Sequence, residues 1–253
     1  MTMKKYAAFF ITALFVTSCN SERTIDSDLA ASNLKGKIIK IEKIVYKSEE
    51  TPKCPCGGVI DNRQTRFNYN EKGNLTESSV IDEDGNVVTV SKYIYDRHDV
   101  CSGVKRFSGE KLTESEINII NKKRVTRTRV LDEMGKVESI IKYEYSGNQI
   151  TGGQTLSSDD VVVSSFKNEY ENGQVALRTD MDNLRKLSTE TRYERNSGND
   201  ITWYTVTNKT DNNEYRIAFE YEYDDHGNWT KQTQRYNGAI LGIIIRNITY
   251  SNL

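Results

Sequence analysis

Residues Glu214 to Gly238 read EYRIAFEYEYDDHGNWTKQTQRYNG. Tyr215, Ile217, Phe219, Tyr221 and Tyr223 fall on one side of an extended chain. Glu214, Arg216, Ala218, Glu220 and Glu222 fall on the other. Strict alternation of this length is the signature of a half-buried strand. Asp224-Asp225-His226-Gly227-Asn228 then supplies turn chemistry, with Gly227 free to take positive φ. Trp229 opens a return strand.

Weaker copies of the pattern recur along the chain. RFNYNEKGNLTE, from Arg66 to Glu77, keeps the aromatic-x-aromatic, turn, Gly-Asn, apolar order. Tyr93 and Tyr95 precede Asp96. Val137, Ile141, Tyr143 and Tyr145 alternate with Lys136, Glu138, Lys142 and Glu144. KNEYENGQV carries Tyr170 and Gly173, TRYERNSGNDI carries Tyr193 and Gly198, and the chain closes through Tyr250. The tyrosines at 69, 95, 145, 170, 193, 223 and 250 recur about every 25 residues, with one interval doubled. Further turns lie between them, at Asp82–Asn86, Asp132–Lys136 and Asn237-Gly238. Each unit is two strands and two turns, which points to a supersecondary repeat stacked on its neighbours.

The unit resembles the YD repeat of the Rhs family, in which Tyr-Asp, then Gly-Asn or Gly-Arg, precedes a polar strand. Tyr223-Asp224-Asp225-His226-Gly227-Asn228 carries the resemblance best. Tyr69-Asn70-Glu71-Lys72-Gly73-Asn74 follows, and the copies at 145, 170 and 193 are degenerate. An unrelated antiparallel sheet whose hairpins converge on Tyr-x-Tyr and Gly-Asn gives nearly the same architecture. Large Rhs proteins form closed β shells, and six or seven irregular units look too few for that. The expected fold is therefore all-β: an open, twisted antiparallel meander of about 12–14 strands. The interval from Tyr95 to Tyr143 departs from the pattern. SGEKLTESEINIINKKR places Thr113 before Glu116 like a capping box, so an irregular insertion near 102–124, a short helix or long loop, is expected. It would cover the sheet's apolar face.

The N-terminus reads MTMKKYAAFFITALFVTSC. Lys4 and Lys5 form a basic n-region, and Tyr6–Val16 is an apolar run of signal-peptide length, too short to span a bilayer. Val16-Thr17-Ser18-Cys19 resembles a bacterial lipobox, in which the cysteine is lipidated and becomes the mature N-terminus. An ordinary cleaved signal is the alternative. On the lipobox reading, residues 1–18 are removed, 19–34 are a lipidated anchor and flexible polar tether, and 35–253 fold. Acyl chains add about 0.8 kcal/mol of membrane affinity per buried methylene. The expected location is the outer membrane of a didermic bacterium, with the side of the membrane left open.

Hydrophobic residues make up 36% of the chain, and tyrosine is abundant at 15 residues. Such a composition supplies a thin sheet, tyrosine-rich on one face and charged on the other. Formal net charge is −1, from 35 basic and 36 acidic side chains. That is no electrostatic case for nucleic acid, which calls for a basic stripe. The two prolines, Pro52 and Pro55, share one loop. Their absence elsewhere suits a chain whose N–H groups serve ladders.

Chemistry-bearing candidates are few. No nucleophile elbow, Walker loop or His-Glu-x-x-His occurs. His226 sits in a turn, and Asp159-Asp160 and Asp224-Asp225 read as turn-forming pairs, so no catalytic residue and no cofactor is assigned. Trp203, Tyr204 and Trp229 are candidate binding aromatics for a sugar ring or a protein anchor. Equally, they could be the sheet's own apolar face. Beyond Cys19 three cysteines remain, Cys54, Cys56 and Cys101. Outside the cytoplasm they favour a disulfide, and Cys54 to Cys56 would close a tight ring. A bridge from Cys101 to either one closes a loop of roughly fifty residues, for which the entropic model allows about 4 kcal/mol. The alternatives are free thiols, or zinc on Cys54, Cys56, His98 and Cys101, although Cys-x-Cys is shorter than usual zinc spacing.

The functional expectation is a membrane-anchored extracytoplasmic lipoprotein with a binding or structural role toward a glycan or protein, and no enzymatic activity. The alternative is a carbohydrate-active enzyme on the same scaffold, since glycosidases need only two carboxylates. Mass spectrometry of the mature protein should find an acylated Cys19 at its N-terminus. A non-reducing peptide map should find Cys101 joined to Cys54 or Cys56. An unmodified terminus other than Cys19, or alkylatable thiols at all three positions, would overturn the respective reading.

Overall fold

The computed structural model describes residues 27–48, 62–183 and 187–251. Cys19, Cys54 and Cys56 lie outside them. A short helix, α1 (Asp28–Ala31), precedes sixteen strands. These are β1 (Ile38–Lys47), β2 (Arg63–Tyr69), β3 (Leu75–Ile81), β4 (Val87–Tyr95), β5 (Cys101–Ser108) and β6 (Lys111–Asn121). They continue with β7 (Arg124–Asp132), β8 (Val137–Ser146), β9 (Gln149–Ser157), β10 (Val162–Glu171) and β11 (Gln174–Asp182). The last five are β12 (Leu187–Arg195), β13 (Ile201–Asn208), β14 (Glu214–Tyr223), β15 (Trp229–Tyr236) and β16 (Ala239–Tyr250).

Every strand pairs antiparallel with its sequence neighbour, and β1 pairs with β16, so the sheet closes into a barrel. In the closing ladder Ile41 faces Ile248, Lys43 faces Arg246 and Val45 faces Ile244. The expected open sheet of fewer strands is thus corrected. The sequence reading missed β1, whose Ile-Lys-Ile-Glu-Lys-Ile-Val-Tyr run lies upstream of the first tyrosine unit. With it, sixteen strands form eight successive pairs, enough to complete a circle. Closure also removes both sheet edges and encloses the aromatic face without any separate cover.

The turns explain why these segments fold back. In the five-residue turns one polar side chain spans the loop. Asp224 Oδ1 accepts from the backbone N–H of His226 at 3.0 Å and of Asn228 at 2.9 Å. Asp96 serves His98 and Val100, Asp132 serves Met134 and Lys136, and Asn70 serves Lys72 and Asn74 in the same way. The two-residue turns of type I′ need positive φ at both positions. Asn172 and Gly173 show 51° and 80°, and Asn237 and Gly238 show 49° and 84°.

The expected insertion at 102–124 is also corrected. It holds β5, β6 and the start of β7 in regular ladders. Thr113 and Glu116 lie within β6 and cap no helix. This pair fills the doubled interval, because Ile120 occupies the place that tyrosine holds elsewhere. Ile120 pairs with Val125 as Tyr95 pairs with Cys101, Tyr145 with Ile150 and Tyr170 with Val175, each beside a slip in register.

The tyrosines have a structural task at this end of the barrel. Between β3 and β4 the ladder stops at Glu77 and Lys92, leaving the Leu75 carbonyl beyond it. The Tyr95 hydroxyl donates to that carbonyl at 2.7 Å. Tyr145 does the same for Val125 at 2.7 Å, Tyr170 for Ile150 at 3.0 Å and Tyr221 for Ile201 at 2.7 Å. Where isoleucine replaces the tyrosine, Asn118 Nδ2 donates to the Cys101 carbonyl instead, at 3.0 Å. The Ile150 carbonyl accepts from Asn168 Nδ2 as well, at 2.9 Å; buried carbonyls of this kind need such donors.

The register divides the wall into two faces. Ile217, Phe219, Val104, Ile41 and Phe67 point inward and are buried. Lys92, Arg129, Glu144, Lys167, Arg192 and Glu220 point outward and are exposed. The expected face assignment in β14 holds for Ile217 and Phe219, whereas Tyr223, at the strand's end, is 45% exposed. Phe219→Ala should therefore cost about 3–5 kcal/mol. Glu220 makes only an exposed ion pair with Arg235, so Glu220→Ala should cost less than about 1 kcal/mol. Chemical denaturation of both variants checks this, and equal costs would reverse the assigned faces.

Candidate functional site: two cations under the N-terminal strap

Residues 27–37 run across the end of the barrel where β1 begins and β16 finishes. Residues 27–34, expected in a flexible tether, are instead docked there. Ser27 caps α1, accepting from the Ala30 N–H at 3.3 Å. Leu29 is 6% exposed and packs with Ile38, Ile41, Phe67 and Leu75. Leu29 N–H donates to the Gly73 carbonyl at 3.1 Å. Asp28 Oδ2 accepts from the Leu75 N–H at 2.6 Å and lies 2.5 Å from the Tyr95 hydroxyl, whose one proton is shared between it and the Leu75 carbonyl. On the other side Asn33 Nδ2 donates to the Gly198 carbonyl at 2.7 Å. Lys35 N–H donates to Asn228 Oδ1, and Asn228 Nδ2 returns a bond to the Lys35 carbonyl, both at 2.8 Å. Gly73 and Gly227 lie directly beneath the strap at φ of 76° and 76°. A Cβ on Gly73 would stand 2.9 Å from Ser27 Oγ.

Between strap and inner wall lies a recess of about 390 Å³, counting its open mouth. Ser32 and Leu34 line it from the strap, and Ile41, Lys43, Phe67, Tyr69, Trp229 and Arg246 from the wall. Arg246 is 7% exposed, and its Nε has no hydrogen-bond partner. Its guanidinium sits 3.0 Å above the centre of the Trp229 ring, a cation–π contact. Lys43 Nζ lies 5.7 Å from the Phe67 ring centre. Among the described residues no carboxylate forms an ion pair with either cation. Burial, then the Arg246 and Arg63 charges, push the Lys43 ammonium down to about 8. Burial likewise lowers Arg246. Burial and the Asp28 charge raise the Tyr69 hydroxyl well above the ordinary tyrosine range, so it stays a neutral donor.

Two other inward arginines are compensated by carboxylates. Arg106 is held by Glu114 and Glu116, the latter at 2.7 Å. Arg178 forks onto Asp180 at 2.9 Å and lies over Phe166 at 4.2 Å. Lys43 and Arg246 differ: they are like charges directly opposite one another across β1 and β16, an arrangement that opposes folding.

The structure separates the three aromatics picked from sequence. Trp203 faces outward under the Arg216 guanidinium, at 3.6 Å. Tyr204 faces inward beside Phe219 and Tyr193. Trp229 is 7% exposed and lines the recess. They form no common platform. Cys101 is buried at 3% exposure and is disulfide-bonded. Its partner lies outside the described residues, as do Cys54 and Cys56. His98 is exposed in the β4–β5 turn, accepting from Arg97 Nε at 3.2 Å. Among the described residues no three His, Cys, Asp or Glu side chains gather as metal ligands. Lys43 and Arg246 were passed over in the sequence. The available signal was a basic residue at an inward-pointing position of each of two isoleucine-rich strands.

No protein-family model matches the chain, and no curated protein matches it in sequence. Among solved structures, a porin-like protein from Bacteroides uniformis ATCC 8492 is similar in fold, with TM-score 0.57 and 14% identity. The likeness covers 84% of this chain and 96% of that one. A porin-like protein from Bacteroides vulgatus ATCC 8482 aligns at TM-score 0.48 and 13% identity, over 87% of this chain and 100% of that one. The first likeness concerns the fold alone, and the second is too weak to carry an argument.

Asp28 is the strap's main fastening, so Asp28→Ala should destabilise the protein by about 1.5–3 kcal/mol, the worth of hydrogen bonds to a charged group. Hydrogen exchange should speed up selectively at Leu29 and Leu75. Uniform exchange across the barrel would mean that the strap is not a separate fastening.

Proposed function

We propose that the protein is a membrane-tethered, extracytoplasmic binding barrel, non-enzymatic, which stands in water and takes its ligand inside rather than conducting across a bilayer. The outward face carries this reading. A bilayer-spanning barrel presents an apolar band about 25 Å tall, and an outward Arg or Lys at its midplane costs about 2–4 kcal/mol. Here Lys92, Arg129, Glu144, Lys167, Arg192 and Glu220 lie exposed within β4, β7, β8, β10, β12 and β14. Charges on so many strands around the wall leave no continuous apolar belt.

Anchoring through lipid at Cys19 supplies the membrane attachment in this reading and fits the outer membrane of a didermic bacterium. The resemblance of the hairpins to YD repeats is compatible with it. A role toward a glycan or protein partner on the outside of the barrel would run through single aromatics such as Trp203.

The mature lipoprotein should float with liposomes, and the Cys19→Ser variant should not. Neither should raise conductance across a planar bilayer. Stable single-channel steps from purified protein would overturn the reading.

A further inference from the structure

We propose that Lys43 and Arg246 hold the anionic head of a small organic ligand, a carboxylate or phosphate carrying a short apolar body, in the recess beneath the strap. This rests on the binding-barrel reading and names the ligand chemistry for it.

Among the described residues, neither Lys43 nor Arg246 has a carboxylate in an ion pair with it. Two cations placed directly opposite each other in one ladder repel, and an unpaired buried charge is costly unless something neutralises it. Elsewhere inside this barrel the chain supplies carboxylates for that purpose, to Arg106 and to Arg178. At Arg246 it supplies a tryptophan face, which attracts the cation but accepts no hydrogen bond from the edge of the guanidinium. The Nε–H has no partner. Stacking on Trp229 fixes the guanidinium plane, and a planar fork held in place suits a carboxylate or phosphate head. The Lys43 ammonium faces it in the ladder and contributes a second point charge.

The rest of the recess gives the ligand's other end. Ile41, Phe67 and Leu34 offer apolar surface, and the Tyr69 hydroxyl and Ser32 offer polar edges. Such a lining, mostly apolar with a few convergent polar groups, is that of a small-molecule site. The strap forms one wall of the recess, so a bound ligand would touch residues 32 and 34 as well as the barrel.

Isothermal calorimetry on the mature protein tests this with four probes: octanoate, octyl phosphate, inorganic phosphate and the neutral octanol. Octanoate or octyl phosphate should bind and octanol should not. Preference between the two anions identifies the head group, and inorganic phosphate alone shows how much the apolar body adds. Lys43→Met should weaken binding at least tenfold. Its melting temperature without ligand should be equal to or above that of the wild type, because one of two repelling charges is gone. Arg246→Met should weaken binding in the same way, and if it fails to fold, Lys43→Met alone decides. No binding by either amphiphilic anion, or binding untouched by Lys43→Met, would overturn the proposal. So would a lower ligand-free melting temperature in Lys43→Met, which is the mark of a purely structural lysine. The binding-barrel reading fails separately, by conductance in a bilayer. Octanol binding as tightly as octanoate would leave that reading standing while ending the anion assignment.

Discussion

The ladder between β1 and β16 is the constraint on which everything else depends. From β2 to β16 each successive pair is local, joined by a short connection. This one joins the two ends of the folded chain. Without it the sheet would have two free edges, each a row of unpaired backbone groups, and a tyrosine-rich face open to water. With it the same face becomes an interior. The recess under the strap is a direct product of this seam, because Lys43 and Arg246 become neighbours only when β1 meets β16.

The barrel is stitched twice at the strapped end. Hydroxyls of Tyr95, Tyr145, Tyr170 and Tyr221 reach carbonyls left over where neighbouring ladders stop short. Asp28 then answers the Leu75 N–H and the Tyr95 hydroxyl together. At Asn228 the hydroxyl of Tyr250 and the carbonyl of Lys35 share one amide. His226 lies flat on Tyr250, their ring centres 4.0 Å apart. The polar inventory of this chain is therefore structural at one end of the barrel, and left incomplete at Arg246.

Sixteen strands with a partly polar interior are shared by channels and by vessels, and the proposed reading turns on the outward face. Lipid tolerates little charge on the outside of a barrel, whereas water tolerates it freely. Likeness of backbone to porin-like structures is for that reason no statement about conduction. The same logic applies to the aromatics. Trp203 and Trp229 are chemically identical, yet one shields an outward arginine and the other a buried one.

Much of this was written locally. Alternation in EYRIAFEYEY fixed which side chains of β14 share a face, and the Asp-x-x-Gly-Asn turns fixed where the chain reverses, because both depend on residues close in sequence. The Tyr95-to-Tyr145 gap hid a full repeat, since Ile120 fills the position by register and Asn118 fills it by hydrogen bonding, and neither looks like a tyrosine. What only the tertiary structure decided was long-range. Closure, the docking of residues 27–34, and the meeting of Lys43 with Arg246 each join segments far apart in the chain. No periodicity records such pairings, because period-2 patterning says which way a side chain points and not which strand will lie beside it.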